Sequence, residues 1–156
     1  MNKIVKFIIS IVVPLCAGFV GSLFTTPNIP TWYAGIQKPS FSPPNWIFGP
    51  VWTTLFILMG IAFFIIWSQK RTKQRDVAMM AYGVQIVLNV LWSVLFFGMQ
   101  NPGYAFIEIF VLWIAIFANI VLFYRIHKTA GLLLVPYILW VSFASILNGA
   151  IYFLNR

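Results

Sequence analysis

The chain has 156 residues, of which 62% are hydrophobic and only 8% are charged. This composition excludes an ordinary water-soluble domain and is typical of an integral membrane protein. The net charge of +8 does not indicate nucleic acid as a partner, because the basic residues lie in separate short segments between apolar stretches.

Five apolar stretches of about 20 residues predict membrane-spanning helices, since roughly 30 Å of hydrocarbon requires that length at a rise of 1.5 Å per residue. A β-barrel is not predicted, because no alternating polar and apolar pattern is seen. We therefore predict an all-α integral membrane protein, a five-transmembrane-helix bundle in which residues 1–156 form a single domain. The predicted helices are 6–24, 46–67, 77–97, 104–124 and 132–153.

The segment between the first two predicted helices, residues 32–45, is rich in aromatic residues and prolines. Each proline fixes its own φ angle, removes an N–H donor and disfavours a helical conformation in the residue before it. A long loop in a tightly connected chain is usually functional or disordered, and the many bulky rings argue against disorder. We predict a stiff first loop that acts as a lid over a ligand cavity.

The second predicted helix carries an aromatic stripe formed by Trp52, Phe56, Phe63 and Trp67. Such a stripe usually indicates packing, and Trp67 suits the aromatic belt at a membrane interface. Trp52 follows directly from the proline-rich loop, so packing and lining of a cavity are equally good interpretations of this residue.

The third predicted helix places five residues on one face, by their helical spacing. These residues are Gln85, Asn89, Trp92, Ser93 and Phe96. Amides inside a membrane helix need partners, and hydrogen bonds to neighbouring helices would stabilise the bundle by about 0.6–2 kcal/mol each. The alternative is a polar patch in a cavity, which the adjacent tryptophan and serine favour.

The fourth predicted helix contains Glu108, the acidic residue that falls within a predicted span. A carboxylate inside a membrane is a functional candidate by default. Glu108 is predicted to lie about one turn from the outer interface, so a structural hydrogen bond is favoured over proton transfer or ligand contact. In the fifth predicted helix, Tyr137, Trp140, Ala144 and Asn148 fall close to one face.

The basic residues divide unevenly if five helices alternate in direction. One side receives Lys3, Lys6, Lys70, Arg71, Lys73, Arg75, Arg125 and Lys128, and the other receives Lys38 and Arg156. By the positive-inside rule, the N-terminus is predicted to be cytoplasmic, and the first loop and the C-terminus are predicted to lie outside. Contact with anionic membrane lipid is expected for the basic 68–76 loop.

Residues suited to catalysis are scarce in this sequence. The single histidine, His127, has no cysteine or carboxylate near it, so neither a metal site nor an acid–base pair is predicted. The remaining features predict a tryptophan-rich cavity with a few amides and hydroxyls. Such a cavity suits a flat hydrophobic molecule.

Three segments of the chain resemble one known family, in the order of that family. They read W-Y-x4-K-P-x-F-x-P-P-x-W-x3-P-x-W over residues 32–52, Q-x3-N-x2-W-x3-F-F-G over residues 85–98, and P-Y-x2-W-x2-F-A-x2-L-N over residues 136–148. The chain thus resembles the translocator protein family, known also as TspO/MBR, tryptophan-rich sensory proteins or peripheral-type benzodiazepine receptors. Its charge pattern fits a bacterial member in a plasma membrane.

The resemblance implies a five-helix bundle, commonly a homodimer, that binds porphyrins such as protoporphyrin IX, haem, sterols or synthetic benzodiazepine-site ligands. No cofactor is required, and the porphyrin or haem is the ligand. The cavity positions that the resemblance implies are Trp32, Pro43, Trp52, Asn89, Ser93, Trp140, Phe143, Ala144 and Asn148.

Two functions follow from the resemblance. The first is a binding protein with a sensing, sequestration or transport role. The alternative is light-dependent degradation of protoporphyrin IX, in which Trp52 and Trp140 would act as catalytic residues. The scarcity of acids, bases and metal ligands favours the first, and enzymatic activity is left open.

Overall fold

The computed structural model describes residues 2–156, and within these residues it consists of helices and short connections. Five helical stretches of 23 to 31 residues are long and apolar enough to cross a membrane. The prediction of an all-α, five-helix membrane protein is therefore confirmed. The α-helices are α1 (Lys3–Asn28), α2 (Asn45–Trp67), α3 (Lys73–Ser93), α4 (Pro102–Ile126), α5 (Lys128–Leu132) and α6 (Val135–Leu154).

Polar side chains mark the starts of three helices. Asn2 accepts a hydrogen bond from the backbone N–H of Ile4, Thr72 accepts from Arg75, and Asn101 accepts from Tyr104. Each cap satisfies one of the backbone donors that the first turn of a helix leaves free. The helices α1, α3 and α4 begin earlier than the hydrophobic pattern predicted, because caps and polar first turns extend a helix beyond its apolar stretch.

The first membrane helix is longer than predicted and the first loop is shorter. A π-helical segment, Ile29–Tyr33, continues α1 without interruption. Pro27 and Pro30 each lack a backbone donor, and we attribute the change from α-helical to π-helical geometry to them. The non-helical connection covers residues 36–44 only, so the expectation that the loop begins at residue 32 is wrong.

A second π-helical segment, Val94–Gly98, continues α3 at the same end of the bundle. The N–H of Met99 donates to the carbonyl of Val94 at 2.7 Å, which is the i to i+5 bond of a π-turn. Gln100 follows with a φ of 51° and donates from Nε2 to Oδ1 of Asn28 at 3.0 Å. The ends of α1 and α3 are thereby joined.

The helices pack so that α1 contacts α2 and α3, and α4 contacts α3 and α6, while the short α5 contacts α2 and α4. We call the end with residues 36–44 the loop end, and the end with residues 68–72 the basic end. The first buried cluster runs through the bundle towards the basic end and includes Met59, Ile66, Ile116, Phe123 and Leu134. A second cluster at the loop end consists of Tyr33, Phe96, Phe97, Ala105, Leu147 and Ile151.

Candidate functional site

A cavity of about 520 Å³ occupies the half of the bundle nearer the loop end. Its walls come from α1, α2, α3 and α6, together with both π-helical segments. Most of the lining is apolar, and ten aromatic rings contribute to it. These rings belong to Phe19, Tyr33, Trp46, Phe48, Trp52, Phe56, Trp92, Phe96, Phe97 and Trp140.

The wall formed by α2 consists of Phe48, Trp52 and Phe56, which are four residues apart and share one helical face. Trp52 stacks on Phe56 with ring centroids 5.5 Å apart, and it meets the edge of Tyr137 at 6.1 Å. Phe48 meets Trp140 of α6 edge-on at 6.0 Å. Trp52 therefore both packs and lines the cavity, so the two interpretations of this residue hold together.

The wall formed by α3 combines amide, hydroxyl and aromatic groups. Four of the five residues that the helical spacing placed on one face line the cavity, namely Asn89, Trp92, Ser93 and Phe96, whereas Gln85 is buried outside the lining. Asn89 donates from Nδ2 to the hydroxyl of Tyr137 at 2.9 Å, and Trp92 stacks on Phe96 with centroids 5.0 Å apart. The amide of Asn89 thus faces the cavity while it is held by a hydrogen bond to α6.

The wall formed by α6 contains Trp140, Ala144 and Asn148. Asn148 accepts a hydrogen bond from the indole Nε1 of Trp92 at 3.0 Å and donates to the carbonyl of Pro102 at 2.8 Å. Both polar atoms of this amide are therefore engaged within the protein. Asn148 fixes the orientation of the Trp92 ring and ties α6 to the start of α4.

The cavity opens sideways between α1 and α2. Towards the basic end these helices are in close contact, since a Cβ at Gly60 would lie 2.6 Å from the backbone oxygen of Ser10. Nearer the loop end, lining residues of both helices are exposed: Phe19 is 65% exposed and Trp46 is 74% exposed. The opening therefore faces the region that the membrane occupies around the bundle.

Six of the nine site residues expected from the resemblance line the cavity. They are Trp52, Asn89, Ser93, Trp140, Ala144 and Asn148. Trp32, Pro43 and Phe143 do not line this cavity, and their contact with a ligand stays a prediction. Trp32 lies against Phe96 and Phe97 at 5.6 and 6.2 Å, because the π-helical segment turns it towards α3.

The first loop reaches the cavity only through the residues that flank it, Tyr33 on one side and Asn45 and Trp46 on the other. Its middle is attached elsewhere. The side chain of Asn155 accepts from the N–H of Gln37 at 2.9 Å and donates to the carbonyl of the same residue at 2.8 Å. In this structure the loop is therefore fastened to the end of α6, and residues 36–44 do not line the cavity.

Sequence reasoning missed the contribution of α1 to the site. Gly18, Gly21, Ser22 and Thr25 line the cavity, whereas no residue of this helix was predicted to do so. A Cβ at Gly21 would lie 3.1 Å from Oγ of Ser93. Small residues allow close helix approach, and here they also leave space for the cavity next to α3.

Glu108 differs from the sequence-based expectation. Its side chain is 7% exposed, and neither carboxylate oxygen has a hydrogen-bond partner among residues 2–156. The structural hydrogen bond favoured from the sequence is therefore not found. The residue points into the bundle, because α4 places it on the same face as the buried Leu112 and Asn119.

The fold and the site define an integral membrane protein with a largely aromatic internal cavity. The sequence profile of the TspO/MBR family matches residues 10–154, and the chain belongs to this family. It is 48% identical to the tryptophan-rich protein TspO of Archaeoglobus fulgidus, over 98% of this chain and 99% of that protein. It is 36% identical to the human translocator protein, over 89% of this chain and 83% of that protein.

A relative with a different name is the tryptophan-rich sensory protein of Cereibacter sphaeroides. It is 34% identical, over 75% of this chain and 72% of that protein. The family resemblance seen in the three sequence segments is thereby confirmed over nearly the whole chain.

Proposed function

We propose that this protein binds porphyrin or haem-type ligands in the cavity and has a sensing, sequestration or transport role in the membrane. The observation that carries this proposal is the aromatic cavity of about 520 Å³. Its volume lies within the range of about 300–1,000 Å³ that is common for small-molecule sites. Flat ring faces suit a flat aromatic ligand, because stacked and edge-on contacts add to simple burial.

A few polar atoms in the cavity are free to orient a ligand. Asn89 lines the cavity and uses Nδ2 for its bond to Tyr137, which leaves Oδ1 without a partner among residues 2–156. The hydroxyl of Ser93 also lines the cavity and makes no hydrogen bond within the described chain. Asn148, in contrast, has both polar atoms engaged, so we assign ligand orientation to Asn89 and Ser93.

The lateral opening between α1 and α2 supports access from the membrane. A hydrophobic ligand concentrates in the bilayer, and the exposed rings of Phe19 and Trp46 lie at this opening. The ligand would then reach the cavity without crossing the loop that Asn155 holds.

Filling the cavity tests this function. Ala144 lines the cavity, and the Ala144→Phe substitution should weaken binding of protoporphyrin IX by about tenfold or more, which corresponds to about 1.4 kcal/mol. The measurement is a titration of the purified protein in lipid nanodiscs, followed by the shift of the porphyrin absorption band and by quenching of tryptophan fluorescence.

The matched control is Ala118→Phe, since Ala118 is an exposed residue of α4 away from the cavity. This variant should bind protoporphyrin IX as the unchanged protein does. Equal affinity in the Ala144 and Ala118 variants would contradict binding in the cavity, and no saturable binding by the unchanged protein would contradict the proposed function itself.

The alternative function, light-dependent degradation of protoporphyrin IX, is favoured by one observation. The oxidisable indoles of Trp52 and Trp140 both line the cavity, on two different helices. A porphyrin between them would lie close to both rings, and an excited porphyrin could take an electron from either. Analysis of the products after illumination, with protein-free nanodiscs as control, tests this alternative.

A further inference from the structure

Between α3 and α4 the bundle buries polar groups that have no partners. Gln85 is 1% exposed, Glu108 is 7% exposed and Tyr82 is 2% exposed. Both amide atoms of Gln85, both carboxylate oxygens of Glu108 and the hydroxyl of Tyr82 lack a hydrogen bond within residues 2–156. Buried polar groups are normally satisfied, and a buried charge without a partner is much more costly still. The burial of these unpaired polar groups therefore calls for a functional explanation.

The register of the two helices places Glu108 beside the cavity wall. Nδ2 of Asn119 on α4 donates to the carbonyl of Ala78 on α3 at 3.3 Å, which fixes one point of contact. Glu108 precedes Asn119 by eleven residues, and Asn89 follows Ala78 by eleven. Because the helices are antiparallel and eleven residues make about three turns, Glu108 lies level with Asn89 on the facing side.

At the level of Glu108, the residue of α3 that lines the cavity is Asn89. This residue bonds to Tyr137 of α6, and Gln85 lies one turn from it on the same face of α3. The titratable groups on the packed elements around Glu108 are Tyr137 from α6 and Tyr82 from α3. From α2, the residue in contact with Tyr137 is Trp52, which does not titrate.

The lining of the cavity contains no lysine, arginine or histidine among residues 2–156. A ligand that carries carboxylates would therefore find no cation in the lining to offset its charge. A second negative charge on Glu108 behind Asn89 would repel it in a medium of low dielectric constant. Protonation of Glu108 removes this repulsion and converts the side chain into a hydrogen-bond donor towards Asn89 or Gln85.

We propose that Glu108 is a proton-binding site behind the Asn89 wall, and that it takes up one proton from solvent when a carboxylate-bearing ligand fills the cavity. The proposal rests on the proposed function. The proton adds to one oxygen of the Glu108 carboxylate, and no other bond forms or breaks. Because binding of the ligand favours the protonated form of Glu108, linkage requires that the ligand binds more tightly as the pH falls.

The test compares protoporphyrin IX, which has two carboxyl groups, with its neutral dimethyl ester. Dissociation constants are measured from about pH 6 to about pH 8 for the unchanged protein and for Glu108→Gln in nanodiscs. Binding of the diacid should tighten by up to about tenfold per pH unit in the unchanged protein, the limit for uptake of one proton. The slope should be shallower in Glu108→Gln, and the ester should show little slope in either protein.

A second measurement needs no variant. Infrared difference spectra of the unchanged protein, with and without the diacid, should show a gain of the C=O stretching band of a protonated carboxyl group in a hydrophobic site. Isotopic labelling of the glutamate side chain assigns this band, because labelling shifts protein bands and leaves porphyrin bands in place.

The outcomes separate the two proposals. An equal pH slope for the diacid in Glu108→Gln and in the unchanged protein, or no labelled carboxyl band on binding, would overturn the role of Glu108 and leave the proposed function standing. Absence of binding at every pH would contradict the proposed function, and the proton uptake would fail with it.

Discussion

At the scale of single residues, the tryptophans differ in their surroundings. Trp52 and Trp140 line the cavity, Trp92 is held by Asn148 at 3.0 Å, and Trp67 lies at the basic end beneath Nζ of Lys6 at 5.7 Å. Trp52 and Trp140 combine contact with the cavity and an indole N–H that no residue of the described chain accepts, whereas Trp46, which also lines the cavity, is 74% exposed. They are the residues at which binding and photochemistry can be distinguished.

Replacement of Trp52 or Trp140 by phenylalanine should weaken porphyrin binding modestly, by roughly 1–2 kcal/mol, because an aromatic wall is kept. Light-dependent loss of porphyrin should fall much further, because phenylalanine is far harder to oxidise than an indole. The measurements are a binding titration and the rate of porphyrin loss under constant illumination.

Trp67→Phe provides the control for these two variants, because Trp67 lies away from the cavity. If it slows the photochemistry as much as the other two changes, or if loss in the unchanged protein equals that in empty nanodiscs, the degradation hypothesis fails. The ligand-binding proposal would then stand alone.

At the scale of helices, contacts between α1 and α2 decide where the cavity opens. Gly60 allows the backbone of α1 to approach within a distance that no side chain would tolerate, because a Cβ there would meet Ser10 and Ile11 at 2.6 and 2.9 Å. The aromatic pair Phe7 and Phe64, with centroids 5.2 Å apart, closes the same half of the interface. These contacts close the half of the α1–α2 interface that lies towards the basic end.

Gly60→Ala should destabilise the bundle by about 1–3 kcal/mol, as overpacking at a rigid contact does. The control is Gly83→Ala on α3, where a Cβ would meet nothing within 4 Å; this change should leave stability nearly unchanged. Thermal unfolding of the purified proteins, followed by circular dichroism in the same detergent, measures both. An equal loss of stability in the two variants would contradict the assigned role of Gly60.

The two π-helical segments also shape the cavity. Ile29–Tyr33 and Val94–Gly98 lie at the loop end, and their aromatic residues meet: Tyr33 contacts Phe97 with centroids 5.6 Å apart. Both segments contribute to the cavity lining. Wider helical turns therefore bring rings from two helices together at the end of the cavity nearest the loop.

At the scale of the whole molecule, five spans place the termini on opposite sides of the membrane. We propose that the N-terminus is cytoplasmic and that the cavity half of the bundle lies towards the outside, because most basic residues are at the basic end. A reporter fused after Arg156 should lie outside the cytoplasm, and one inserted near Thr72 should lie inside. Both are measured with paired phosphatase and fluorescent-protein fusions, and reversed signals would refute this orientation.

The sequence by itself determined the membrane class, the number of membrane-spanning helical stretches and much of the cavity. Apolar stretches identify the membrane-spanning helices directly, because the lipid bilayer imposes a minimum length on a span and requires its backbone hydrogen bonds to form within the helix. Helical periodicity similarly placed Asn89 and Ser93 on one face, and Trp140, Ala144 and Asn148 on another. These properties depend only on the order of neighbouring residues in the sequence.

Only the tertiary structure decided which faces meet and how closely. Trp32 turned towards Phe96 because prolines changed the helical pitch before it, and no periodicity of 3.6 residues describes that turn. The small residues of α1 became part of the cavity because α3 packs against them, and Glu108 became buried without a partner because of the register between α3 and α4. These results depend on contacts between residues far apart in sequence, which the local pattern of the chain does not encode.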